Sequence, residues 1–170
     1  MTPKPTSMDT CPIARVTELL GDHWALMILR EAFLGTVHFG QFESQLGIAR
    51  NILSGRLKRL VDAGLLERVP CPDDRRVHEY RLSASGRALH PVLIALAQWS
   101  QRWLGDSCEA LRIVERTSGR AVRPVVVQAA DGRTLGLREI AMVPGPDAAP
   151  EMAERYRRAM AAAERAEGGA

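Results

Sequence analysis

Residues 39–47 read FGQFESQLG, 48–68 read IARNILSGRLKRLVDAGLLER, and 69–82 read VPCPDDRRVHEYRL. Phe39, Phe42 and Leu46 recur at i, i+3 and i+7, which predicts a short helix with one inward face. Gly47 breaks it, and a basic helix starts two residues later. Leu53, Leu57 and Leu60 mark the buried side of that helix. At about 100° per residue, Asn51, Ser54, Gly55 and Lys58 point away from it. Two strands follow at 65–70 and 77–83, joined by Cys71-Pro72-Asp73-Asp74-Arg75-Arg76, where proline and aspartate favour a turn. Helix, sharp turn, basic helix and a ribbon with an Arg-Arg tip each suit duplex DNA. An α-helix fits the major groove, and a basic tip reaches a minor groove or phosphates.

Particular residues carry that reading. Asn51 has the donor and acceptor to pair with adenine N6/N7, and Lys58 reaches guanine O6/N7 or a phosphate. Ser54 is adaptable. Gly55 costs about 1 kcal/mol of helix propensity against alanine, and on an outward face it lets a groove wall or base edge come close. Arg50, at the helix start, and Arg56 and Arg59, on the flanks, are placed for phosphates. Arg75 and Arg76 suit a narrow A·T minor groove. A local alternative has Asp73 or Asp74 pairing with them to stiffen the turn, and both roles are compatible. Taken singly, each side chain is equally well explained as solvent-facing. The coincidence of spacing, basic stripe and ribbon argues for DNA.

The bulk numbers narrow the classes. A chain of 170 residues supports one domain, or one domain with an appendage. Its net charge of +3 is small, but Arg50, Arg56, Lys58 and Arg59 share ten residues without an acid among them. No apolar run reaches the length of a membrane span. Residues 1–10, MTPKPTSMDT, lack the apolar middle of a secretion signal, so they read as a flexible arm and the chain as cytoplasmic. Cysteines at 11, 71 and 108 form no CxxC pair, and histidines at 23, 38, 78 and 90 form no ligand cluster. Neither a metal site nor a cofactor is expected. Catalysis is not expected either: no Gly-rich phosphate loop, GxSxG or nucleophile–base set is present, and adjacent Asp73 and Asp74 cannot flank a substrate. The alternative is a winged-helix module that binds proteins. Such a module calls for an uncharged or acidic recognition helix, which the basic stripe disfavours.

The rest of the chain frames this centre. A helix is predicted over 12–20, with Pro12 at its first position and Ile13, Val16, Leu19 and Leu20 as its stripe. Gly21 stops it and Asp22 caps the next helix, 23–34, which is apolar nearly all round and belongs in the middle of the domain. Residues 36–38 suit a very short strand. A long helix over 84–105 carries Leu89, Val92, Leu93, Leu96, Trp99, Trp103 and Leu104, with Pro91 kinking it or marking a frayed turn. Residues 106–146 alternate valines with turns at Ser118-Gly119 and Asp131-Gly132, a small β appendage. An Ala-rich tail, 147–170, is helical in composition. The expected architecture is mainly α with a small β wing: arm 1–10, domain 11–105, appendage 106–146 and tail.

Three runs together, CPIARVTELLGDHWALMILREAFLG (11–35), the 39–68 segment above and EYRLSASGRALHPVLIALAQW (79–99), resemble HxlR-type transcriptional regulators. These are winged helix–turn–helix proteins related to the MarR group. The resemblance spans residues 11 to about 104. It implies a homodimeric regulator, a repressor in its simplest form, on a two-fold double-stranded operator. It also implies a dimer interface of helices 12–20 and 84–105, hence Ile13, Val16, Leu20, Leu96, Trp99 and Trp103. The tryptophan band agrees with this, although it also suits packing against helix 23–34. Some relatives sense oxidants or electrophiles through a cysteine just before the first helix. Cys11 holds that place, where a helix N-terminus favours thiolate; the alternative is a small buried apolar residue. An oxidant or small-molecule effector is thereby implied. The appendage is similar to a zinc-ribbon-like tail, but its ligand positions hold Glu115, Ser118, Gln128 and Asp131. Gly119 and Gly132 remain. With neither thiolate nor imidazole, a metal-free hairpin is expected.

Overall fold

In the computed structural model, which describes residues 11–72, 74–104 and 111–167, Asp22 starts the helix on which the others pack. The arm 1–10, Asp73 and Cys108 lie outside the described residues. The first helix, α1, runs Pro12–Leu20. Asp22 then caps α2 (His23–Phe33), its Oδ1 accepting from the Trp24 and Ala25 amides at 2.9 and 3.3 Å. Ala25, Ile28 and Leu29 of α2 are buried. Helix α3 (Phe39–Leu46) ends at Gly47, whose φ of +60° is the left-handed conformation that glycine adopts without a Cβ clash. Ile48 is buried in the turn, and α4 spans Arg50–Asp62. Phe42, Leu53, Leu57 and Leu60 close the core beneath it. Full burial of each such side chain stabilises by about 1.5–3 kcal/mol.

Strands β1 (Leu66–Pro70) and β2 (His78–Leu82) pair antiparallel, with Leu66 opposite Leu82 and Arg68 opposite Tyr80. The strand expected at 36–38 is reduced to one bridge, His38 to Glu79, and the Tyr80 amide donating to Val37 O at 2.8 Å. Strand alternation puts Glu79 and Arg81 on one face of β2, yet Arg81 is exposed and Glu79 is buried. Arg81 Nε donates to its carboxylate at 2.7 Å, and His38 Nε2 lies 3.9 Å away. The 36–38 segment covers that face, which a two-stranded reading could not foresee.

The long helix expected over 84–105 is two. Helix α5 spans Ala84–Ala88, and α6 spans His90–Trp103 after a break at Leu89. Pro91 sits in the first turn of α6, where its missing N–H costs nothing; inside one continuous helix it would have lost a hydrogen bond. Ser83 begins α5, accepting from the Gly86 amide at 3.0 Å and donating to Gly64 O at 2.5 Å. Gly86 lies so close to β1 that a Cβ there would stand 2.1 Å from Leu65 O. The apolar band of the segment divides. Leu89 and Leu93 pack on the core, whereas Val92, Leu96, Trp99, Trp103 and Leu104 are exposed.

The expected β appendage has no extended strand among the described residues. Single bridges join Val114 to Ala121 and Gln128 to Thr134, and a 3-10 turn spans Leu137–Glu139. Val125, Val126 and Val127 are exposed, with no second strand to bury them. The chain divides into two compact units, Leu19–Val125 and the residues up to Glu18 with those from Val126 on. Within Leu19–Val125, Gln98 of α6 ties down the end of the unit, donating to Arg123 O at 3.1 Å and accepting from the Val125 amide at 2.8 Å. Gln101 adds a bond to Leu111 O at 2.6 Å. In the other unit the tail forms helix α7, Pro150–Glu167, with Met152 buried. No helix among the described residues is long and apolar enough to cross a membrane.

Candidate nucleic-acid interface

Helix α4 has two faces. Leu53, Leu57 and Leu60 are buried, while Asn51, Ser54, Gly55 and Lys58 are exposed, as the 3.6-residue turn requires. The side chains of Asn51 and Ser54 have no hydrogen-bond partner among the described residues. A Cβ added at Gly55 would meet nothing within 4 Å. The ridge is therefore open at its middle, with the uncommitted side chains of Ser54 just before it and Asn51 one turn before it.

The cations around the ridge are not free. Lys58 Nζ lies 2.5 Å from Asp62 Oδ2. Arg50 Nη1 lies 3.5 Å from Glu43 Oε2, and its guanidinium sits 5.1 Å over the Phe39 ring. Arg59 is exposed in the last turn of the helix. Arg56 departs most from expectation. It is half-buried, its Nε 2.8 Å from Asp22 Oδ2, where the sequence suggested a flank with no acid partner. At the ribbon tip Arg75 and Arg76 are exposed, and Arg76 Nε lies 3.6 Å from Asp74 Oδ1. The Asp74 carboxylate also accepts from the Arg76 amide at 2.9 Å, so the local stiffening of the turn is present. The sequence pointed to the aspartate–arginine pairing at the ribbon tip but not to the acid partners of Arg50, Arg56 and Lys58. Lys58–Asp62 carries a signal in its i, i+4 spacing; Asp22–Arg56 joins two distant helices and carries none.

The remaining expected sites fall as follows. Ile13, Val16, Leu96, Trp99 and Trp103 are exposed, the last two at 55% and 63%. Leu20 is not available to a partner: it is 8% exposed and belongs to the core, because the α1 stripe turns inward at its last residue. Cys11 is half-buried just ahead of α1, and its carbonyl accepts from the Arg15 amide at 3.0 Å. At the zinc-ribbon-like positions, Glu115 accepts from the Ser118 and Thr117 hydroxyls, which hold its carboxyl below the usual range. Asp131 accepts from the Arg133 amide at 2.9 Å. No group of three or more potential metal ligands occurs among the described residues.

A helix–turn–helix with a basic outer face, followed by a two-stranded wing, is the architecture of a winged-helix DNA-binding transcriptional regulator. Residues 19–108 match the HxlR-like helix-turn-helix family, and the chain belongs to that family. An uncharacterized HTH-type transcriptional regulator of Mycobacterium tuberculosis is 38% identical over 135 residues, 79% of this chain and 85% of the relative. Another, from Synechocystis, is 39% identical over 101 residues, 58% of this chain and 75% of the relative. Among solved structures, PA1607, a candidate transcription factor, superposes with a TM-score of 0.75 at 39% identity, covering 80% of this chain and 96% of PA1607. PA1374 of Pseudomonas aeruginosa, also a candidate transcription factor, gives 0.61 at 41% identity over 85% and 99%.

Proposed function

We propose that two copies of the chain bind a two-fold operator and repress transcription, each inserting α4 into a major groove and laying its wing along the adjacent minor groove. The two-faced α4 carries this reading: a leucine side locked in the core and an open ridge of Asn51, Ser54, Gly55 and Lys58. Arg50 and Arg59 serve phosphates, and Arg75 and Arg76 serve the wing contact. The exposed stripe of α6, Val92, Leu96, Trp99 and Trp103, supports a second copy as partner, since aromatic apolar faces of this kind mark protein interfaces.

Selection of bound duplexes from a random pool tests the reading. The expected product is a palindrome with half-sites about 10–10.5 bp apart, or a multiple of that. Protein that stays monomeric and ignores every duplex at low salt would overturn it. Asn51→Ala is expected to relax base preference at one position per half-site, at a cost of about 1–3 kcal/mol if the contact is bidentate. Transcription from an operator-bearing template should fall when protein is added. Cys11 supports an oxidant response from its place at the α1 N-terminus. Oxidation there loosens operator binding, and Cys11→Ser is expected to blunt the effect of peroxide and diamide in a mobility-shift assay.

A further inference from the structure

We infer that Asp22, the N-cap of the scaffold helix α2, is a positioning residue for DNA: it holds the Arg56 guanidinium so that its two Nη groups face a phosphate. The inference rests on the DNA-binding reading of α4.

Three observations support it. First, one carboxylate does two jobs on opposite oxygens. Oδ1 accepts the Trp24 and Ala25 amides and starts α2, while Oδ2 stands 2.8 Å from Arg56 Nε in the middle of α4. The N-cap therefore fixes where the carboxylate is, and the carboxylate fixes where the guanidinium is. Second, Arg56 Nε and Asp22 Oδ2 are sealed from solvent, and their contact is ionic without the alignment of a hydrogen bond. A sealed ion pair is far less screened than a surface one. Third, the Arg56 side chain retains 35% of its exposure although its Nε has none. Among the described residues its Nη groups have no hydrogen-bond acceptor, so they remain free to hold a phosphate oxygen pair in the fork geometry of arginine. Lys58 differs, since its acid partner Asp62 lies on the exposed surface and competes for the charged group itself.

Plain electrostatics makes the opposite forecast. Asp22 is a negative charge behind a DNA-binding helix, so removing it should tighten binding. Positioning requires that removing it weakens binding. Asp22→Asn separates the two, because asparagine caps a helix as well as aspartate does.

The experiment uses the full chain and a duplex selected by the parent protein. Dissociation constants are read by fluorescence anisotropy over a range of salt for the parent, Asp22→Asn, Arg56→Gln and the double variant. Arg56→Gln should weaken binding about tenfold, the scale of one hydrogen bond to a charged group, and lower the salt slope by about one. Asp22→Asn should follow it in both respects, and the double variant should be no weaker than Arg56→Gln alone. A merely structural Asp22 would leave the salt slope of the folded fraction unchanged, and its effect would add to that of Arg56→Gln. Either result, or tighter binding by Asp22→Asn, overturns the inference. Should Asp22→Asn fail to fold, an Arg56→Gln slope equal to the parent's would overturn it just as well. A parent that binds no duplex removes the DNA reading itself, which distinguishes the two failures.

Discussion

Lys58 and Asp62 form an ion pair along one face of α4, Nζ to Oδ2 at 2.5 Å, one turn apart and both exposed. The carboxylate occupies the cation that, in the proposed complex, faces DNA. An exposed pair of this kind contributes only about 0.3–0.5 kcal/mol to the helix, so a phosphate or a guanine displaces it easily. Its effect is on discrimination. Asp62→Asn is expected to tighten binding to all duplexes by a few-fold, with non-specific DNA gaining at least as much as the operator. Competition binding against random duplex checks it. Unchanged affinity for both would show that Asp62 does not compete for Lys58.

The exposed stripe of α6 gives a second prediction. Val92, Leu96, Trp99 and Trp103 lie at i, i+4, i+7 and i+11 along one side of the helix, and all four are exposed. Trp99→Glu adds a charge to that surface without disturbing the core. On the proposed two-copy assembly, sedimentation is expected to show a dimer for the parent and a monomer for the variant, with a melting temperature lowered by the loss of the partner. Operator binding should weaken far more than binding to a single half-site.

A third concerns the seat of α5. A Cβ at position 86 would stand 2.1 Å from the Leu65 carbonyl oxygen and 3.2 Å from the Leu82 side chain. The obstructing atom is backbone and cannot swing away. Gly86→Ala should destabilise by about 1–3 kcal/mol, the usual range for overpacking, in spite of the better helix propensity of alanine. Thermal melts read the loss directly. A melting temperature at or above the parent's would show that the strand yields without cost.

The turn near Leu137 provides a test by acid. Glu139 Oε2 accepts from the Gly136 amide at 2.8 Å, and Arg133 lies against the same carboxyl. The amide first and the arginine second hold its carboxyl below the usual range. A depressed folded value means that the turn gains from the carboxylate at every pH above the unfolded value, and loses that gain as pH falls through the folded one. An NMR titration should therefore place the Glu139 midpoint below that of glutamate in a peptide, about 4.3. Arg133→Ala should move the midpoint upward without abolishing the shift, since the amide remains.

Residues 12–62 were legible in the sequence because each boundary carries a local chemical cause. Pro12 opens a helix, Asp22 caps one, Gly47 permits a left-handed turn, and the leucines of α4 repeat with the helical period. The break at Leu89 was less legible, because the apolar pattern runs through Pro91 without interruption. The appendage was read as more regular than it is. A valine-rich run has strand propensity, but propensity needs a partner strand, and the described residues provide only single bridges. Outward positions on α4 followed from angle alone. Which of its cations are held, and by what, did not. Asp22–Arg56 and the burial of Glu79 arise when distant segments meet, and no local pattern records such meetings.

Gly55 leaves bare backbone at the middle of the recognition ridge, with room for a methyl group that would touch nothing. Filling it would strengthen α4 by about 1 kcal/mol. On the proposed mode of binding, heat resistance and intimacy with the double helix are set against each other at a single carbon. An engineer hardening this regulator would be tempted by that position first, and would risk blunting its sense of touch.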